Sequence, residues 1–90
     1  MDVLLNAKTT NGAGTDLIVR DGGFKLLRIY GTFDGATVTL SVDFNGSTTF
    51  VNDSAYTAAG VYYVNSKVGL TYRLTISGAG ANTSLSAEMI

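Results

Sequence analysis

Apolar and polar residues alternate without a break over residues 36–44, which read Ala-Thr-Val-Thr-Leu-Ser-Val-Asp-Phe. Because successive side chains of a strand point to opposite faces, this pattern predicts a half-buried β-strand. Asp34-Gly35 precedes the segment and Asn45-Gly46 follows it, and both dipeptides favour tight type I′ turns. We therefore expect the chain to reverse at each end, so that residues 24–33, 36–44 and 47–51 form a three-stranded antiparallel meander.

A second alternating segment covers residues 70–77, where every even-numbered position is apolar. These positions are expected to face the core, and the threonines and the arginine between them to face outward. Residues 60–64 and 84–90 are the candidate partner strands on its two sides, with the glycine-rich residues 78–82 as a loop. The pattern therefore predicts a second sheet.

Two shorter stretches, residues 2–6 and 16–19, are interpreted as strands at sheet edges, and residues 1–14 as an N-terminal arm or edge strand. No window of about eleven residues carries apolar side chains at helical spacing, so essentially no helix is expected. Seven or eight short strands with frequent turn signals predict one all-β domain over residues 1–90. We expect a small antiparallel β-sandwich, either immunoglobulin-like or jelly-roll-like, although the Cys and Trp markers of the immunoglobulin fold are missing.

The composition narrows what can stabilise such a domain. A chain of 90 residues buries only about 60% of its unfolded surface, so an isolated copy has a small stability margin. Cysteine and histidine are both absent, which excludes disulfides, thiolate metal sites and imidazole ligands. Contacts between subunits are the remaining source of stability, and we therefore expect a homo-oligomer.

The charges exclude two classes of partner. Six Lys and Arg stand against seven Asp and Glu, and the basic residues are dispersed along the chain. Nucleic acid is not an expected partner, since a phosphate-binding surface needs several basic groups on one face. Membrane insertion is not expected either, because no apolar run approaches the roughly 20 residues that a spanning helix requires.

Candidate catalytic chemistry is confined to carboxylates. Asp34, Asp43 and Asp53 could form a hydrolytic pair only if the fold happens to join them, and no spacing signature supports this. Asp34 and Asp53 with Asp16 and Asp21 could supply oxygen ligands to calcium, but the close D-x-D spacing is absent. The sequence therefore predicts a protein that is not an enzyme, with no catalytic residue, cofactor site or metal site.

Aromatic residues and unprotected edges are the candidate interaction features. The chain contains no proline, and its two terminal strands carry few of the charges that normally block edge pairing. A neighbour could add a strand there, or the N-terminal segment could cross to a neighbour. Tyr62 and Tyr63 would point to opposite sides of a strand, one into the core and one to a subunit or a sugar. The candidate interface residues are Asp2, Val3, Leu4, Leu5, Tyr56, Tyr62, Tyr63, Met89 and Ile90.

Four segments carry a resemblance to a known group of proteins. Residues 30–40, YGTFDGATVTL, resemble the "GTFGGATVTLQ" strand-turn-strand of small structural proteins of tailed bacteriophages. Residues 45–51, NGSTTFV, take the place of a "DGTTWV"-like strand in those proteins. Residues 69–74 resemble a later "GxYRxxV" strand, and residues 85–87 are similar to the closing strand. The chain departs from the pattern in having Asp at position 34 for glycine and Phe at position 50 for tryptophan.

The resemblance implies a virion protein, assembled in the host cytoplasm, that acts by binding rather than by catalysis. It implies a head decoration or cement protein, or a small tail- or fibre-associated protein. Its expected partners are the major capsid protein or another virion protein, together with copies of itself. The alternative is a carbohydrate- or receptor-binding module that uses Tyr62 or Tyr63 with Asn65 and Asp53, and a β-sandwich hydrolase is the third possibility.

Overall fold

The computed structural model describes residues 2–44 and 46–90. Over these residues the protein is all-β without helix, which confirms the predicted class. The strands are β1 (Asp2–Lys8), β2 (Gly12–Ala13), β3 (Leu17–Ile18), β4 (Gly23–Thr32), β5 (Thr37–Phe44), β6 (Phe50–Tyr56), β7 (Gly60–Ser66), β8 (Leu70–Ser77) and β9 (Ser84–Met89).

These strands form two antiparallel sheets, which confirms a small β-sandwich. The four-stranded sheet has the order β1-β9-β4-β7. The five-stranded sheet has the order β2-β8-β5-β6, and β3 also pairs with β8. If β2 and β3 are counted as one interrupted strand, the chain has eight strands. They pair from the two ends of the chain inward: β1 with β9, β2 and β3 with β8, β4 with β7, and β5 with β6. This strand order is that of a jelly roll, the second of the two expected topologies.

The predicted meander over residues 24–51 is wrong in its first hairpin. Asp34 and Gly35 do adopt the left-handed backbone of the expected turn, with φ of 47° and 83°, and the Ala36 N–H donates to the Phe33 carbonyl at 2.9 Å. The turn nevertheless leads β4 out of one sheet and β5 into the other. Because β9 and β7 already occupy the two edges of β4, no edge remains for β5.

The second hairpin of the meander is confirmed, since β5 pairs with β6 from Val38↔Tyr56 to Asp43↔Phe50. Its predicted turn includes Asn45, which lies outside the described residues, and Gly46 beside it has a φ of 75°. The hairpin also contains a bulge. The register shifts by one residue between Leu40 and Ser41, which leaves an extra residue on β6.

The predicted grouping of β7, β8 and β9 in one sheet is wrong. The apolar phase of β8 faces the core as expected, but the strand pairs with β5 on one side and with β2 and β3 on the other. Strand β7 pairs with β4, while β9 lies between β1 and β4. Each of the connections β6–β7, β7–β8 and β8–β9 therefore crosses from one sheet to the other, so none of the strands β6, β7 and β8 pairs with the next one.

The N-terminal segment is an edge strand of its own molecule. Strand β1 pairs with β9 of the same chain, and β2 and β3 form the edge of the other sheet. The segment between β2 and β3 forms backbone hydrogen bonds to both sheets. The Gly14 N–H donates to the Leu74 carbonyl of β8 and the Thr15 N–H to the Leu4 carbonyl of β1, both at 2.9 Å. The predicted edge position of the C-terminal strand is wrong, because β9 lies between β1 and β4.

The core lies between the two sheets and is filled from the inward phase of each strand. Leu27 and Ile29 of β4 face it from one sheet, and Leu74 and Ile76 of β8 from the other. Complete burial of each such side chain stabilises the fold by about 1.5–3 kcal/mol. The other buried apolar residues are Leu4, Leu5, Val19, Ala36, Val38, Leu40, Val64, Tyr72, Leu85, Ala87 and Met89.

Candidate interaction surface

Strand β4 directs alternate side chains to opposite sides of the four-stranded sheet. Leu27 and Ile29 point inward and are buried, so Phe24, Leu26 and Arg28 point outward. Phe24 is 81% exposed and Leu26 is 36% exposed. A strand face in contact with water is normally polar, so apolar residues on this face require an explanation.

The neighbouring strands extend the same outward surface. Leu26 lies opposite Tyr63 of β7 and exchanges backbone hydrogen bonds of 2.9 and 3.0 Å with Ile90, just beyond β9. Tyr63 is 81% exposed. We call this outer surface of the four-stranded sheet the apolar face. Its exposed apolar residues are Val3, Phe24, Leu26, Tyr30, Val61, Tyr63 and Ile90.

An ion pair lies in the middle of the apolar face. Arg28 Nη2 donates to both carboxylate oxygens of Glu88 at 2.7 and 2.9 Å, with Val61 and Val3 opposite them on the flanking strands. The Arg28 guanidinium lies 4.9 Å from the centre of the Tyr30 ring. The nearby Tyr30 hydroxyl and the hydrogen bonds from Arg28 hold the pKa of Glu88 below its ordinary value. The two charges neutralise each other, so the centre of the face carries no net charge.

A shallow depression lies beside the ion pair on the apolar face. It has a volume of about 250 Å³ and is lined by Leu26, Arg28, Val61, Glu88 and Ile90. The Arg28 side chain is 57% exposed, whereas the Glu88 side chain is 9% exposed. The apolar rim with a recessed carboxylate resembles the core of an interface, where apolar groups surround a few satisfied polar ones.

The outer face of the five-stranded sheet is more polar. Its registered positions on β5 and β8 are mostly Ser and Thr, with Ser41 opposite Arg73 as an example. Arg73 forms an ion pair of 2.8 Å with Asp16 and lies 3.8 Å from the centre of the Phe50 ring. Of the eleven large apolar residues that are exposed in the described part of the chain, seven belong to the apolar face, and the other four are Ile18, Phe44, Val51 and Val68.

Asp43 has a structural role that differs from the one expected of an outward strand position. It is 3% exposed and accepts hydrogen bonds from Ser47 Oγ and from the Thr49 N–H, the latter at 3.1 Å. The Ser47 bond, followed by backbone N–H donors, holds the pKa of Asp43 below its ordinary value. Asp43 therefore organises the loop that follows β5.

The structure separates the candidate interface residues predicted from the sequence. Leu4, Leu5 and Met89 are buried in the protein's own core and cannot reach a partner. Tyr56 and Tyr62 pack against each other with ring centroids 4.1 Å apart. The remaining predicted residues are exposed, and of these Val3, Tyr63 and Ile90 belong to the apolar face, while Asp2 begins β1.

Several residues of the apolar face were missed by the sequence prediction. Phe24, Leu26, Arg28 and Tyr30 share the outward phase of β4, and that phase follows once Leu27 and Ile29 are assigned to the core. The signal was present in the two-residue periodicity. It could not identify Glu88 as the partner of Arg28, because these residues are joined only by the pairing of β4 with β9.

Asp53, grouped with Tyr63 and Asn65 as a possible sugar site, belongs to the other sheet. Among the described residues, no group of three or more His, Cys, Asp and Glu side chains is placed to hold a metal ion. The described part of the chain likewise contains no helix that could span a membrane. Comparisons with family models, with curated proteins and with solved structures return no match.

Proposed function

We propose that the protein is a structural component of a tailed-bacteriophage particle, a capsid decoration or cement protein that binds the major capsid protein through the apolar face. The observation that carries this proposal is the concentration of exposed apolar side chains on one outer sheet face. The resemblance of residues 30–40 and 69–74 to small phage structural proteins supplies the choice of partner.

The extent of the apolar face supports a role in binding. Four strands at a spacing of about 4.8 Å, followed along β4 from Phe24 to Tyr30, span roughly 300–400 Å² in projection. Apolar patches of about this size on monomers are often functional, and scattered single residues are not. The charge-neutral centre at Arg28 and Glu88 favours an apolar partner surface over a charged one.

The size of the domain also agrees with a cement function. A 90-residue chain without disulfides has little stability to spare. A partner that binds only the folded form stabilises it by about 2.7 kcal/mol when present at 100 times its dissociation constant. Jelly rolls occur in viral capsid domains and in lectins alike, so the fold agrees with the proposal only by analogy.

The decisive test is co-sedimentation with capsids assembled from the major capsid protein encoded near this chain. The variant Phe24→Asp places a charge on the apolar face, and we expect it to weaken co-sedimentation at least about tenfold. Phe44→Asp is the matched control, because Phe44 is 69% exposed but lies outside the apolar face. Absence of co-sedimentation, or equal loss in both variants, would contradict the proposal. Neighbouring genes for capsid and tail proteins are also expected.

The second candidate function is carbohydrate binding, and one observation favours it. Phe24 and Tyr63 are equally exposed rings on the same face, and Asn65 lies directly opposite Phe24 as a donor and acceptor for sugar hydroxyls. Glycan-array binding that is lost in Tyr63→Ala and kept in Tyr62→Phe would favour this function. Capsid binding without any glycan signal would exclude it.

A further inference from the structure

We infer that the free edge of β7 pairs with the β7 edge of a second copy, so that two four-stranded sheets join into one continuous antiparallel sheet. This inference goes beyond the proposed function, because it concerns the homo-oligomer expected from the sequence and not the binding of capsids. It is tested on the purified protein alone, and it can therefore fail while capsid binding is observed, or hold while capsid binding is absent.

The hydrogen-bonding direction of β7 follows from the bonds of β4. Leu26 exchanges both backbone bonds with Ile90, so its peptide groups face β9. Successive residues of an antiparallel strand direct these groups to alternate neighbours. Tyr63 lies opposite Leu26 and must therefore direct its N–H and C=O away from β4. Val61 and Asn65 share this orientation.

The outward groups of β7 have few partners within the chain. No described strand lies beyond β7 in its sheet. The Asn65 carbonyl accepts a long bond of 3.4 Å from the Tyr72 hydroxyl, which leaves its second lone pair available. The edge thus presents N–H and C=O groups at Val61, Tyr63 and Asn65, which is a template for an added strand.

Three other edges of the sandwich are modified in ways that hinder pairing. Strand β1 has two register irregularities, and Ala7 within it has a φ of 47°. Strand β6 contains the bulge opposite Leu40 and Ser41. The fourth sheet edge is divided into the two-residue strands β2 and β3. Irregular, bulged or short edges are the usual protection against edge-to-edge association.

Strand β7 has none of these protections. It pairs with β4 in an unbroken register over seven residues, from Gly23↔Ser66 to Ile29↔Gly60. Its sequence, GVYYVNS, contains no charged residue and no proline. A long, regular and uncharged edge in a β-protein is expected to be covered, and the chain itself supplies the matching partner.

The partner is a second copy because antiparallel pairing of one strand with itself has two-fold symmetry. With the axis at Tyr63, the residue faces its own copy, while Val61 faces Asn65 of the second copy and Asn65 faces Val61. All three outward residues then form backbone hydrogen bonds. The two apolar faces become one surface, with the two Tyr63 rings side by side at its centre.

Single-cysteine cross-linking tests this register, because the chain has no cysteine of its own. Hydrogen-bonded pairs of an antiparallel sheet have Cα atoms about 5.5 Å apart, within the range of a disulfide. Tyr63→Cys is therefore expected to form a disulfide-linked dimer on mild oxidation. Phe24→Cys is the matched control, since Phe24 is also 81% exposed on the same face. Its Cα would lie about 20 Å from that of its copy, because the two positions are three strand spacings apart across the sheet and four residues apart along it.

Measurements on the unmodified protein complete the test. Sedimentation should show twice the 9.4 kDa mass of one chain at high concentration. Amide exchange at Val61, Tyr63 and Asn65 should slow as concentration rises, while exchange at Tyr62 and Val64, which bond to β4 in the monomer, should not change. Three results would overturn the inference. They are a monomeric mass in sedimentation up to about 1 mM protein, equal disulfide cross-linking of the two cysteine variants, and slowed amide exchange in β7 only after capsids are added.

Discussion

Truncation of Leu27 tests the alternation of β4 on which the apolar face depends. Leu27 is fully buried and lies opposite Tyr62 and Met89 on the flanking strands. Leu27→Ala removes three carbon groups at about 0.8 kcal/mol each, about 2.4 kcal/mol in total. A residual cavity of about 40 Å³ adds about 1 kcal/mol at about 24 cal/mol per Å³. We therefore expect the free energy of unfolding to fall by about 3 kcal/mol.

The neighbouring Leu26 provides the matched control. Leu26→Ala is the same chemical change on the same strand, but Leu26 is 36% exposed and points to the apolar face. The surrounding water and side chains can fill the space, so a loss of about 1 kcal/mol is expected. A 90-residue domain has about 5–13 kcal/mol of stability in total, so both variants should fold.

Urea and thermal unfolding followed by far-ultraviolet circular dichroism would measure both variants. Dilute protein should be used, so that self-association does not contribute to the apparent stability. At about 4–8 °C per kcal/mol, Leu27→Ala should lower Tm by about 12–24 °C. Losses that agree within about 0.5 kcal/mol, or a larger loss in Leu26→Ala, would refute the assignment of the two faces.

Two further predictions concern a close backbone approach and a carboxylate. In urea unfolding, Gly31→Ala should lower the free energy of unfolding more than Gly23→Ala. Both glycines have a positive φ, of 116° and 107°. Only at Gly31 would an added Cβ meet backbone, because it would lie 2.2 Å from the Ser84 carbonyl oxygen. Equal losses would show that backbone strain alone matters. Because the folded pKa of Glu88 lies below its unfolded value near 4.5, its contribution to stability is complete above pH 4.5 and is lost as pH falls through the folded pKa. Glu88→Gln should therefore flatten the decline in unfolding free energy between about pH 5 and pH 3, and an unchanged slope would contradict this.

The candidate surface was only partly predictable. Exposure of Tyr63 opposite a buried neighbour follows from the alternation of strand side chains, and one of the two tyrosines was expected to face outward. Burial of Met89 does not follow, because the composition of the C-terminal strand predicts an edge. The strand is covered by β1 from the far end of the chain, and no local pattern reports a contact between residues so distant in sequence.

The lack of proline and charge predicts free edges at both terminal strands. Strand β1 is an edge strand but carries two register irregularities, whereas β9 is interior. Strand β7, whose composition is just as permissive, became the regular free edge through its pairing with β4. Edge protection depends on register as well as composition, and register is a property of two strands together.

The sequence by itself determined the all-β class, the inward phase of the strands and the left-handed turn at Asp34 and Gly35. Each of these depends on side-chain alternation or on local backbone preferences, which act over a few residues. Only the tertiary structure decided which strands pair. The turn at Asp34 and Gly35 could join two paired strands or connect the two sheets. It connects the two sheets, because β9 and β7 pair with both edges of β4. That pairing of distant strands is what places the apolar face on one sheet and leaves β7 at its edge.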